Sequence, residues 1–188
     1  MTFHCMGKTE IPSRAVATTS ATKAVTLKNN LPTALNISSI TVTGDYAQTN
    51  NCGASLAAST SCTVNVTFTP TTTGSRTGTL TVTDSASNSP QTVSLSGTGI
   101  AQVTVSPANL SFGNQAVGTS STAKTVTLTN NLGTSLSISS VTASGDYSQT
   151  NTCGTSLAAG ANCTISVTFS PTTTGSRTGM LTVTDKET

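Results

Sequence analysis

Few residues in this sequence could do chemistry, and they fall into two groups. The only histidine, His4, is followed at once by Cys5. An imidazole beside a thiol suggests a pair of metal ligands or a thiol nucleophile with its base. Neighbouring residues on an extended strand point to opposite faces, so one site using both would need a bend in the backbone. Otherwise both are unpaired residues of a surface or edge strand, and Cys5, the odd cysteine, is available for an intermolecular disulfide.

The second group recurs. Asp45 and Asp146 each stand in Gly-Asp-Tyr, and Arg76 and Arg177 each stand in GSRTG. Calcium would need a cage of oxygens, and each aspartate has too few acidic neighbours to build one. A turn-forming Asp before a core Tyr fits better. The arginines are candidates for surface binding, for pairing locally, or for lying over apolar surface. No serine stands in Gly-x-Ser-x-Gly, and a single His is a weak triad partner. Asn36, Asn65, Asn109 and Asn162 open Asn-x-Ser/Thr sequons, which a chain this rich in Thr and Ser produces by chance. These residues assign no catalytic group, no cofactor and no metal, with His4 and Cys5 as the sole metal candidates.

The remaining cysteines, Cys52, Cys62, Cys153 and Cys163, form two pairs of identical spacing. That spacing predicts one disulfide per pair, Cys52 with Cys62 and Cys153 with Cys163. The competing zinc reading lacks closely spaced cysteine knuckles and nearby histidine. Closing an 11-residue loop stabilises a small domain by roughly 2.5–3 kcal/mol, and such bonds persist outside reducing compartments.

The cysteine pairs are part of a longer repetition. Residues 18–84 and 119–185 are identical at 46 of 67 positions, without a gap, at a period of 101. Within the first copy apolar residues alternate with polar ones: Val25 and Leu27, Leu35 and Ile37, Ile40 and Val42, Val64 to Phe68, Leu80 and Val82, Val93 and Leu95. A period of two with Thr between is the mark of strands that bury one face. Thr suits the wet face because it is β-branched. The breaks NNLPT, GDY, CGASLAAST, PTTTG and DSASNSP carry turn residues. The expected fold is all-β, two tandem immunoglobulin-like antiparallel β-sandwiches, with domains at residues 1–99 and 100–188.

Charge excludes further classes. Charged residues make up 7% of the chain and the net charge is +2, so no basic field exists to gather phosphates and no nucleic-acid partner is expected. No apolar stretch is long enough to span a membrane, and no signal peptide is visible in the opening residues. Secretion or display at the cell surface would rely on an export signal elsewhere.

The ordered motifs SPANLSFGNQAVGTSS, VTLTNN, ISSVTASGDY, CGTSLAAGANC, VTFSPTTTGSRTGMLTVTD and, in the first copy, SPQTVSLSGTG resemble the bacterial choice-of-anchor D repeats. Those are related to the ASPM, SPD-2 and Hydin (ASH) immunoglobulin-like domains. The resemblance spans residues 15–185. It implies a seven-stranded sandwich serving as spacer or adhesive element in secreted or surface-anchored proteins, and it implies no catalytic site.

Two departures stand out. Residues 2–17 share almost nothing with residues 103–118, so the first repeat should have an altered initial strand. The second copy stops shortly after LTVTD, so it should lack the strand equivalent to QTVSLSG. Its open edge would then either recruit the N-terminal segment of another copy, giving a homodimer or an open chain, or stay solvated. Three functions remain: a structural spacer, an adhesion module for a protein or glycan surface, and a weak hydrolase or metal-dependent activity built on His4 and Cys5.

Overall fold

The computed structural model describes residues 2–4 and 11–187. It divides into two units, Met1–Ile100 and Ala101–Thr188, each with its own core. All regular structure among the described residues is extended.

In the first unit, β1 (Thr2–His4), β3 (Lys23–Lys28), β7 (Ser61–Phe68) and β5 (Tyr46–Asn50) form one sheet in the order β1-β3-β7-β5. The second sheet is ordered β2-β9-β8-β4-β6, from β2 (Arg14–Ala15), β9 (Gln91–Ile100), β8 (Gly74–Asp84), β4 (Leu35–Val42) and β6 (Ser55–Leu56). Every pairing is antiparallel except β2 with β9, which is parallel. The sandwich closes over the alternating residues. Val25, Leu27, Val64, Val66 and Phe68 from one sheet meet Ile37, Leu80, Val82 and Leu95 from the other, all buried. Each such aliphatic or aromatic side chain contributes about 1.5–3 kcal/mol on leaving water.

The apolar pairs Leu35/Ile37 and Ile40/Val42 belong to a single strand, β4. A β-bulge between Ile37 and Ser39 resets the alternation by one residue, so that all four side chains lie toward the core. The three-residue step from Ile37 to Ile40 is that bulge written in sequence. Strands β5 and β6 lie in stretches that read as turns, because each carries only one fully buried residue, Tyr46 and Leu56.

The second unit repeats the plan. One sheet runs β10 (Val103–Ser106), β11 (Lys124–Asn130), β15 (Asn162–Phe169), β13 (Tyr147–Asn151). The other runs β14 (Ser156–Leu157), β12 (Leu136–Ala143), β16 (Leu181–Glu187). In this second sheet β16 is the outer strand among the described residues. Residues 175–180, the counterparts of the first half of β8, are not in a strand.

The outer faces carry hydroxyls in register. Thr41, Thr81 and Thr92 form one rung across β4, β8 and β9, followed by Thr79–Ser94, Thr77–Ser96 and Ser75–Thr98. In the second unit Ser106, Thr127 and Thr164 do the same.

At two turns the repeats differ instructively. Ala17 has φ 63° and Ser59 has φ 60°, while their counterparts Gly118 and Gly160 have φ 79° and 68°. A side chain in the left-handed region costs about 1–2 kcal/mol, partly offset because glycine has more freedom in the unfolded chain. Ala17→Gly and Ser59→Gly should each raise stability by about 0.5–1 kcal/mol, and Gly118→Ala should lower it. Shifts of the urea midpoint measure both.

Candidate functional site

The recurring Asp, Tyr and Arg come together at one corner of each sandwich. Asp45 immediately precedes β5 and Arg76 lies on β8, and their side chains meet with Arg76 Nε donating to Asp45 Oδ2 at 2.6 Å. Thr71 adds its N–H to the same oxygen and its hydroxyl to Oδ1. Tyr46 turns inward, stacks on Phe68 with centroids 5.0 Å apart, and donates its hydroxyl to the Arg76 carbonyl. The second unit reproduces this with Asp146, Arg177, Thr172, Tyr147 and Phe169. The Arg76 guanidinium, helped by the Thr71 N–H, holds the Asp45 carboxyl at about 2, against an ordinary 3.8. Arg177 lowers Asp146 in the same sense. Burial pushes the Tyr46 hydroxyl up. These charged groups are occupied with one another, across 31 residues of sequence, and they hold β8 to the start of β5.

At the opposite end of the sheets lies a residue that the sequence reading missed. Asn29, 1% exposed, donates its side-chain amide to the carbonyls of Thr33, Leu56 and Ala57, and its Oδ1 accepts from the Leu31 N–H. Asn130 makes the same four contacts with Thr134, Leu157, Ala158 and Leu132. The only signal was the repeated Asn-Asn-Leu, which reads as turn composition.

The structure also locates the other predicted residues. Cys52–Cys62 and Cys153–Cys163 are disulfides with Cα separations of 5.0 and 4.9 Å, and all four cysteines are buried. His4 ends β1, opposite Thr26 of β3; its side chain and the whole of Cys5 lie outside the described residues. Among the described residues no group of three His, Cys, Asp or Glu is placed to hold a metal. Asn36, Asn109 and Asn162 are exposed and Asn65 is half-buried in β7.

The feature that faces outward is in the second unit. Val105, Leu110, Phe112, Val167, Leu181 and the Tyr147 ring line an open cleft of about 490 Å³, beside the backbone of residues 177–180. Phe112 sits at the counterpart position of the buried Ile11, leans on the Tyr147 and Phe169 rings, and carries the Lys124 ammonium over its face. Val105 and Met180, two of the few large apolar side chains left exposed, belong to the cleft. In the first unit the corresponding space is filled by β9: Leu95 is 2% exposed there and Gly97 lies against the Phe68 ring.

Each repeat matches a known family model. Residues 100–188 match the ASH family model, described as abnormal spindle-like microcephaly-associated, ASPM-SPD-2-Hydin, and residues 14–100 match the model for Cep192 domain 4. The two repeats are ASH-like immunoglobulin-type domains. Against curated protein sequences the chain gives no significant match. Among solved structures it is similar to the secreted serine protease VesC from Vibrio cholerae, at 16% identity and TM-score 0.40, covering 98% of this chain and 50% of that one. The chain thus spans half the length of the VesC chain. It is similar too to a Porphyromonas gingivalis protein of unknown function (13% identity, TM-score 0.37, 86% and 79% covered). A third is the CsuC–CsuE chaperone–adhesion subunit complex of Acinetobacter baumannii (11%, TM-score 0.29, 93% and 94% covered). At such scores none of the three carries a functional argument.

Two predictions follow from the conserved geometry of the repeats. A carboxyl whose folded value is depressed stabilises the fold fully above its unfolded value and loses that contribution as pH falls toward the folded one. Stability of the first unit should therefore be level above about pH 5 and decline from about pH 4 toward the folded value of about 2. Asp45→Asn should flatten that limb in urea titrations at successive pH values. Asn130→Ala strands buried carbonyls and should cost about 2–3 kcal/mol in the second unit, read as a lower denaturation midpoint.

Proposed function

We propose that the chain is a non-catalytic, extracellular spacing and adhesion module of the choice-of-anchor kind, engaging a protein or glycan surface. The observation that carries this reading is that the charged groups recurring in both repeats are committed to the fold. The Asp–Arg pairs and both tyrosine hydroxyls are spent on holding sandwich corners. Catalysis needs convergent titratable groups in a pocket, and the titratable groups lining the cleft of the second unit, Arg177 and Tyr147, are already committed to Asp146 and to the Arg177 carbonyl. The two disulfides fit an oxidising compartment and support secretion or surface display. The net charge of +2 favours no nucleic-acid partner.

The 188-residue chain should turn over ester, peptide and phosphate reporter substrates at the uncatalysed rate, equally with and without His4→Ala and Cys5→Ala. On a glycan and protein array it should give reproducible binding. Turnover that vanishes in the double variant would replace the module reading by the enzymatic one.

A further inference from the structure

We propose that β5 and its counterpart β13 are edges at which one copy of this chain pairs with another, strand against strand. The proposal goes beyond the module reading, which concerns a foreign surface.

β5 is the outer strand of the sheet β1-β3-β7-β5, so only one side of its backbone has a partner in that sheet. Thr69 N–H donates to the Asp45 carbonyl and Asn51 N–H to the Thr63 carbonyl. Odd-numbered residues thus exchange their hydrogen bonds with β7, and the peptide groups of Gln48 and Asn50 point away from it. The second unit has the same phase. Ser170 N–H donates to the Asp146 carbonyl and Thr152 N–H to the Thr164 carbonyl, which turns the peptide groups of Gln149 and Asn151 outward. Among the described residues no strand pairs with either outward side.

Sheet edges are ordinarily blunted by shortness, proline, charge or a bulge. The other edges of the first unit are short: β2 and β6 have two residues each and β1 has three. In the second unit β10 stops at Pro107. β5 and β13 have none of these protections. Each runs five residues in unbroken register with its neighbour, and neither contains a charged residue, a proline or a bulge. A regular, uncharged row of unpaired peptide groups is a template for one more strand.

The strand that fits best is the same one. The two edges read Tyr-Ala-Gln-Thr-Asn and Tyr-Ser-Gln-Thr-Asn. Antiparallel pairing with Thr49 on a two-fold axis sets Gln48 of one copy opposite Asn50 of the other, both with peptide groups turned toward the partner, so each pair can exchange two hydrogen bonds. Thr49 then meets Thr49, a favourable cross-strand pair, and no like charges oppose one another. Asn50 Nδ2 donates to Gln48 Oε1 at 3.0 Å, and Asn151 Nδ2 to Gln149 Oε1 at 2.9 Å, so the amides are ordered before pairing. Because Gln-Thr-Asn recurs, either edge of one copy suits either edge of the next.

The test uses the full 188-residue chain with its disulfides formed. Sedimentation at rising concentration should give an average mass that climbs above that of one chain, and hydrogen exchange should show protection at residues 48, 50, 149 and 151 that grows with concentration. Two double variants, in dilute buffer, decide the place: Thr49→Lys with Thr150→Lys, and Thr49→Glu with Thr150→Glu. Both threonines are exposed, so the urea midpoints should stay close to that of the unsubstituted chain. Each variant alone should remain a single chain, because like charges meet on the axis, whereas an equimolar mixture should associate again. A chain that stays single at every concentration would overturn the proposal, as would association that both variants keep, or a mixture that stays dissociated. The exchange measurement needs no variant and decides alone should a midpoint fall: protection that fails to grow at those four residues sinks the pairing.

Discussion

Three carbonyl groups converge on the side-chain amide of one buried asparagine in each repeat. Two N–H bonds of Asn29 are shared among the oxygens of Thr33, Leu56 and Ala57, and its own oxygen takes the N–H of Leu31. The first of these belongs to the turn after β3, the next two to the segment that leaves β5, passes through β6 and returns to β7. That segment passes from one sheet to the other, since β5 pairs with β7 and β6 with β4. A chain that changes sheets cannot satisfy its backbone by ladder pairing there, and unpaired buried carbonyls are costly. The asparagine supplies the missing donors. The disulfide spans the same excursion from Cys52 to Cys62, so covalent closure and polar satisfaction act on one segment.

With that end fixed, the opposite corner has a defined job. The Asp45–Arg76 pair and the tyrosine hydroxyl tie β8 to the start of β5, again between the two sheets. The tyrosine ring then closes over Gly78 of β8, where any Cβ would strike it. In the first repeat Leu95 of β9 stands opposite that glycine; in the second the Tyr147 ring borders the cleft.

Much of this is visible in the sequence, because duplication acts as an internal control. Period two located the major strands, the fixed 101-residue offset paired the cysteines, and even the bulge of β4 is written in the step from Ile37 to Ile40. Edge strands β5 and β6 were not legible, since one buried residue each leaves no alternation to detect. Asn29 was missed for a different reason: asparagine in a Gly- and Pro-flanked stretch reports a turn equally well whether its amide faces water or three carbonyls. The initial segment taught the converse. Ile11 and Phe112 take the same place in the two repeats although their surroundings share almost no identity, because that position asks only for an apolar body of adequate size. Where Ala17 and Ser59 replace glycine, the backbone keeps its conformation and the local strain is carried by the rest of the unit.

The rungs of threonine and serine on the outer faces bear on the medium in which such a chain works. Long-range forces between proteins come from charge and shrink as electrolyte is added, but these faces meet water through hydroxyls, whose interactions are short-ranged. Encounter with a partner is then unsteered, at the ordinary diffusive rates of about 10⁵–10⁶ M⁻¹s⁻¹. The same surface behaves alike in dilute and in saline water. Repeats of this composition can also stand close together without mutual repulsion, so their crowding is limited by volume and not by salt.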